Sequence, residues 1–172
     1  MPYYTKIETT TYGVMTAGCG DTKLADRLAN TNTQVAGADF AYVYQFDLDI
    51  QQPHNEAGAA NASSAPFTQD IMLTLPDYEP IPAGMLIVMN GHDVIKTLTL
   101  NITARRAGQE TLLGQYVMTN GILIGAEHMI KDQRDPEALK HRGEIQLSLR
   151  FNNIQFQNFV TNTQGQLATT AS

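Results

Sequence analysis

The stretch Phe40-Ala41-Tyr42-Val43-Tyr44-Gln45-Phe46-Asp47-Leu48-Asp49-Ile50 decides the fold class. Aromatic and aliphatic side chains stand at every second position, from Phe40 to Ile50. Ala41, Val43, Gln45, Asp47 and Asp49 fill the places between. Period two with aromatic enrichment is the signature of a β-strand, because successive side chains point to opposite faces of a sheet. A helix would spread the same six side chains around its axis. The expectation is one strand with Phe40, Tyr42, Tyr44, Phe46, Leu48 and Ile50 on the buried face, and the acidic positions on the other.

The same alternation recurs outward from this stretch. Ile71, Leu73 and Leu75 form one face of a short strand that stops at Pro76. Leu98, Leu100 and Ile102 alternate with Thr97, Thr99, Asn101 and Thr103, and threonine favours strands. Tyr116–Ile124 reads as a strand with Asn120-Gly121 as a bend or bulge. Ile145, Leu147, Leu149 and Phe151 form a further face. Asn152-Asn153 interrupts it, and Ile154 and Phe156 resume it. Tyr4–Glu8 and Tyr12–Thr16 suggest two more strands near the start. The helical pattern falls on Ala83–Met89, introduced by Pro80-Ile81-Pro82 and stopped by Asn90-Gly91. Asp135-Pro136-Glu137 reads as a turn within a charged loop. The fold class expected is mainly β, a β-barrel of two antiparallel sheets with one short α-helix and a long extended loop. That loop is Gln51–Pro66, rich in Ala, Asn, Ser and Gly, and longer than an ordinary connection. The expected division is a single domain over 1–163 and a flexible tail over 164–172.

Composition narrows the function. The chain has 172 residues, of which 42% are hydrophobic and only 16% charged. That is too apolar for a disordered chain, and the low charge implies more buried surface than one small monomer provides. A formal net charge of −6 argues against a phosphate-binding surface, so no nucleic acid partner is expected. Met85–Met89 is the longest apolar run, far short of a membrane span, and no membrane insertion is expected. Met1-Pro2-Tyr3-Tyr4-Thr5-Lys6 lacks the basic start and apolar core of a signal peptide. The expectation is therefore synthesis in the cytoplasm and export, if any, without a cleavable signal.

The search for chemistry yields no catalytic, cofactor-binding or metal residues. Cys19 is the single cysteine, which excludes an internal disulfide. It sits in Ala17-Gly18-Cys19-Gly20-Asp21, with no base nearby to lower its pKa. His54, His92, His128 and His141 show no ligand spacing. Ser63-Ser64 lie outside any nucleophile motif. Asp47 and Asp49 share a strand face, as a hydrolase pair might, but two residues apart on a solvated side.

The order of features resembles that of the haemolysin-coregulated proteins, Hcp or TssD, which form the inner tube of bacterial type VI secretion systems. Gly13-Val14-Met15-Thr16-Ala17-Gly18-Cys19 is similar to the family's opening turn. Tyr44–Leu48 resembles the strand before its extended loop, and Gln51–Pro66 falls where that loop lies. Asp77-Tyr78-Glu79-Pro80, the helix and Gly91 resemble the passage that follows, with Glu79 in place of the family's Ser. Val94–Arg105 is similar to the strand ending in Arg before a Gly-containing hairpin, here Gly108, with Ala104 in place of an aromatic. Glu144–Phe156 resembles the closing strand, with Phe156 for the usual Trp.

The resemblance implies a structural protein rather than an enzyme: homo-hexameric rings that stack, are exported with effector cargo, and have sheath, spike and effector proteins as partners. It implies ring-stacking contacts at Gln51, Gln52, Pro53, His54, Asn55, Asn61, Ser63 and Ser64. Subunit contacts through Asp47, Asp49, Arg105 and Arg106 are expected from charge alone. The alternatives are a tail-tube protein of a phage or phage-like particle, and a monomeric β-barrel binding module or a hydrolase using Asp47, Asp49 or Cys19.

Overall fold

A computed structural model describes residues 2–20, 37–51, 67–68, 70–106, 109–130, 134 and 143–168. Among these residues, ten strands and one helix follow in the order β1 (Tyr3–Thr9), β2 (Ala41–Val43), β3 (Gln45–Asp47), β4 (Ile50–Gln51), β5 (Phe67–Thr68), β6 (Ile71–Pro76), α1 (Pro80–Gly91), β7 (Val94–Arg106), β8 (Gln109–Met129), β9 (Glu144–Asn158) and β10 (Thr163–Ala168). One antiparallel sheet takes the path β2-β1-β7-β8-β9-β6-β3, with β10 added beside β9. A separate ribbon pairs β4 with β5. The sheet curls into a nearly closed barrel with the helix as its single helical element among the described residues.

The opening stretch is what closes the barrel. It is not one strand but two, broken at Tyr44. Its first half pairs with β1, Tyr4 opposite Tyr42 and Thr5 opposite Ala41. Its second half pairs with β6, Phe46 opposite Leu73 and Asp47 opposite Met72. The Tyr44 amide already donates to the Thr74 carbonyl at 2.9 Å. The two ends of the sheet path are therefore held by consecutive residues of one segment.

That switch of partner corrects part of the face expected to be buried; Phe40, at 6% exposure, is buried as expected. Ala41 and Val43 are inside at 0% and 1% exposure, while Tyr42 and Tyr44 lie outside. After the break the phase reverses, and Phe46 and Leu48 pack against the core. Ile50 is exposed. The cause is local: a bend residue at the change of partner shifts a period-two pattern by one place, and every side chain changes face. Tyrosines tolerate the outside because the hydroxyl stays hydrated while the ring packs on its neighbours.

A second phase change divides β8 and β9. Gly121 lies opposite Phe151 and Met118 opposite Ile154, and all four are buried. Inward positions on each strand are thus an odd number of residues apart. Asn120, at φ 58°, absorbs the change on β8, and the Asn152-Asn153 interruption absorbs it on β9. A β carbon at position 121 would fall 2.5 Å from Phe151 Cε1. Glycine there admits the ring into the centre of the core.

Helix α1 starts on prolines because their fixed φ suits the first turn and their missing N–H has no partner there anyway. It ends one residue later than Asn90-Gly91 suggested: His92 takes the left-handed conformation, and its amide donates back to the Met89 carbonyl. Ile81, Met85 and Val88 join the hydrophobic core, and Gly84 is buried against the Tyr12 ring. Two smaller expectations are also corrected. Tyr12–Thr16 is a turn joined by one bridge, Glu8 to Val14, rather than a strand. Part of the tail expected from 164 onward is strand β10, paired with β9 from Thr163–Asn158 to Ala168–Asn153. Backbone pairing alone holds it there, since its sequence has little to bury. The turn expected at Asp135–Glu137 lies outside the described residues.

Candidate assembly surface

Two unlike surfaces flank one face of the barrel. The first is a tyrosine ladder created by the outward turn of the opening stretch. Tyr4 and Tyr42 meet edge to face with ring centres 5.9 Å apart, and Tyr42 and Tyr44 do so at 5.8 Å. Tyr42 is 39% exposed and Tyr44 46%. The Tyr42 amide, on the edge that β1 does not use, donates to the Tyr78 hydroxyl at 3.0 Å. Burial pushes the Tyr78 phenol above its ordinary pKa, so it stays a neutral hydroxyl. The ladder is therefore fixed from beneath as well as along its own length.

The second surface is the far edge of β10. β10 pairs with β9 on one side, and no strand pairs with its other side among the described residues. Open edges are adhesive, and natural proteins usually protect them with Lys, Pro or a bulge. Thr163-Gln164-Gly165-Gln166-Leu167-Ala168 contains neither Lys nor Pro.

Between these two surfaces the register aligns rows of mostly polar side chains across strands, among which Asn101 is fully buried. One row runs Tyr42, Tyr4, Asn101, Gln115, Gln157, Gln164 across six strands. The next runs Lys6, Thr99, Val117, Gln155, Gln166 across β1 and β7 to β10. Gln115 Nε2 donates to Asn101 Oδ1 at 2.8 Å, which links the first row across strands. The partners that alternate with these rows, Leu98, Leu100, Met118 and Ile154, are buried.

Charged side chains also stand on and beside β3, and on β9. Asp47 and Asp49 are exposed on β3 and just after it, where each accepts a hydrogen bond from a glutamine, Gln45 at 2.6 Å and Gln51 at 3.2 Å. Asp70 pairs with Arg150 on β9 at 2.7 Å. Arg105 is exposed at the far end of β7, and the structure does not bring it to Asp47 or Asp49. The side chain of Arg106 lies outside the described residues. So do Gln52, Pro53, His54, Asn55, Asn61, Ser63 and Ser64. Gln51, the one expected stacking residue that is described, is exposed and pairs with Phe67 at the base of that excursion. Sequence reasoning missed the tyrosine ladder. The signal that marks it is Ala41 and Val43, small residues suited to a crowded interior, alternating with rings that carry hydroxyls.

Among the described residues, no catalytic constellation forms around the candidate groups. Cys19 is buried, and burial first, then the charge of Asp39, pushes its thiol up to about 11, far from a nucleophile's range. His128 Nε2 lies 2.9 Å from Asp77 Oδ1, beside Gly143, and serves to tie β8 to the segment leading into α1. Among the described residues no three His, Cys, Asp or Glu side chains gather to hold a metal ion. No helix among them is long and apolar enough to cross a membrane.

Among the described residues the architecture is a nearly closed antiparallel barrel with one helix. More specifically, this is the fold of the Hcp proteins. A solved structure described as an Hcp protein matches with a TM-score of 0.78 at 12% identity, covering 99% of each chain. The secreted protein Hcp3 from Pseudomonas aeruginosa matches with 0.69 at 13% identity, again over 99% of both chains. A type VI secretion system effector from Yersinia pestis matches with 0.61 at 12% identity, over 97% of this chain and 99% of that one. At the level of sequence, no family model and no curated protein matches.

Proposed function

We propose that this chain is a tube subunit of a type VI secretion, or contractile injection, apparatus. Copies join side by side into a six-membered ring, rings stack into a tube, and the tube is exported with its cargo. The observation that supports this reading most is the fold match to an Hcp protein over 99% of both chains. The two lateral surfaces agree with it. A tyrosine ladder and an open strand edge are unlike surfaces at opposite ends of one face, and the reading pairs each with the other on a neighbouring copy. Contacts of that heterologous kind close into rings or propagate as filaments. The function is read as structural, with no enzymatic role, and with sheath, spike and effector proteins as partners.

Within this reading, residues 51–66 form the ring-stacking contact, and Asp47, Asp49, Arg105 and Arg106 contribute polar contacts between copies. Asp47 and Asp49 are hydrogen-bonded to glutamines rather than matched with a cation, which leaves carboxylate capacity for a neighbour's Arg. Deleting residues 61–65 should leave the barrel folded and the single ring intact while shortening stacks. Negative-stain electron microscopy of the purified protein tests the whole reading. It should show ring views and short stacks. Replacing both Tyr42 and Tyr44 with Asp should abolish rings without changing the circular dichroism spectrum, because both side chains are already exposed. A uniform field of single barrels from the unaltered protein would refute it.

A further inference from the structure

We infer that rings of this chain lock onto one another through an apolar tip and groove: Phe159 and Val160 of one copy enter the cleft between α1 and β8 of a copy in the next ring. This deepens the tube reading above and rests on it. In that reading neighbours within a ring meet across the strands, so the strand ends face along the tube, one ring against the next.

One end presents the tip. The turn between β9 and β10 leaves Phe159 and Val160 exposed, Val160 at 65%. The turn is held from within. Asn158 Oδ1 accepts from the amides of Val160 and Thr161 at 2.9 and 3.1 Å, and the Phe159 amide donates to the Leu113 carbonyl at 2.9 Å. A turn already fixed pays little ordering entropy when it binds.

The other end presents the groove, beside the start of β7. Met89 of α1 and Ile122, Leu123 and Ile124 of β8 line it, with His92 and Asp93 from the connection between α1 and β7, and its volume is about 270 Å³. A cavity of about 150 Å³ takes a benzene ring, so the groove has room for the Phe159 ring and the Val160 side chain together. Ile122 is 51% exposed there. Eight residues of β9, from Arg150 opposite Ile122 to Asn158 at the turn, set tip and groove roughly 27 Å apart on one barrel. The occupant of the groove is therefore a second copy, joined head to tail.

Charge and area agree with that choice. The tip end carries Arg105 and Arg106 against Glu110, whose carboxylate accepts from the Thr103 hydroxyl at 3.1 Å. Among the described residues the groove end carries Glu79, Asp93, Glu127 and Glu144 against Lys96 and His92, while Arg150 is matched by Asp70. A basic end thus meets an acidic one. Two side chains bury at most about 300 Å², far below the roughly 1,200 Å² of a stable pair. Six such contacts in parallel between two rings act as one multivalent contact. Rings therefore stack and single chains do not.

Cysteine cross-linking tests this. Ile122→Cys/Val160→Cys, both at exposed positions, is assembled and oxidised with copper phenanthroline; the native thiol is buried and silent. The expected result is a ladder of covalent multimers on a non-reducing gel, absent from either single variant. Stacks of the unaltered protein should persist at about 1 M NaCl, because apolar burial is not screened, and Val160→Asp should leave rings but no stacks. Dimers from Val160→Cys alone would mean tip against tip, and rings with no 122–160 link would give the groove another occupant; either overturns this inference alone. Absence of rings overturns the tube reading and this inference with it.

Discussion

Replacing Gly121 with alanine should loosen the barrel at the point where β8 and β9 change phase. The added β carbon would fall 2.5 Å from Phe151 Cε1 and 2.8 Å from the Arg150 carbonyl oxygen. Ordinary carbon contacts sit near 3.5–4.0 Å, so the deficit is roughly 1 Å. Neither neighbour yields easily. Phe151 is fully buried, with no solvent to swing into. The Arg150 carbonyl belongs to β9, in register with Ile122. Overpacking of this kind costs about 1–3 kcal/mol. Alanine returns about 0.4–1 kcal/mol by restricting the unfolded chain, which leaves a net loss of about 0.5–2 kcal/mol. For a domain of this size, that lowers the melting temperature by roughly 1–8 °C. Calorimetry at one fixed, dilute protein concentration reads it, since assembly adds its own stabilisation. Two comparisons isolate the cause. Gly165→Ala on β10 meets nothing within 4 Å and should be close to neutral. In a Phe151→Leu background, Gly121→Ala should cost less than it does alone, because the clash partner is gone. An unchanged or raised melting temperature for Gly121→Ala, or strict additivity with Phe151→Leu, would refute the close approach of ring and glycine.

Other expectations concern the closure and the buried thiol. Tyr78→Phe removes the acceptor of the Tyr42 amide and should cost about 0.5–1.5 kcal/mol by urea denaturation. An unaltered midpoint would show that this hydrogen bond does not hold the closing segment. Cys19 should resist thiol reagents at pH 8 in the folded protein and react once urea unfolds it, and fast labelling of the native state would contradict its burial. Because folding raises the Cys19 pKa from 9.0 to about 11, its contribution to stability is complete below pH 9 and is lost as pH rises toward 11. The urea midpoint should therefore fall between pH 8.5 and 11 by more in the native protein than in Cys19→Ala, and equal falls would argue against that assignment.

Much of the barrel is legible in the sequence because its long strands obey one simple rule. Ile71, Leu73 and Leu75, then Ile145, Leu147 and Leu149, alternate as written and are buried as written. Pro80 and Pro82 mark the start of the helix for a reason internal to proline. What alternation does not reveal is a change of hydrogen-bonding partner. Tyr44 splits the clearest strand signal in the chain into two strands and shifts its phase, so the expected inner face holds at Phe40, Phe46 and Leu48 and fails at Tyr42, Tyr44 and Ile50. β10 is hidden for a different reason. Its stability lies in backbone pairing with β9, and Thr163–Ala168 leaves no apolar trace of that. The assembly surfaces inherit both difficulties: one is the outward half of a misphased strand, and the other is an edge that composition alone describes as a tail. The amide rows need the register as well, for Gln115, Gln157 and Gln164 become neighbours only through pairing.

The central claim is that two unlike sides of one barrel meet on neighbouring copies and close a ring. Native mass spectrometry of the unaltered protein over a range of concentrations tests it most directly. A dominant species at six times the 18.9 kDa chain mass, lost on replacing Tyr42 and Tyr44 with Asp, is the predicted result. A protein that stays at the mass of one chain at the highest concentration, or stops at a closed dimer, would contradict it.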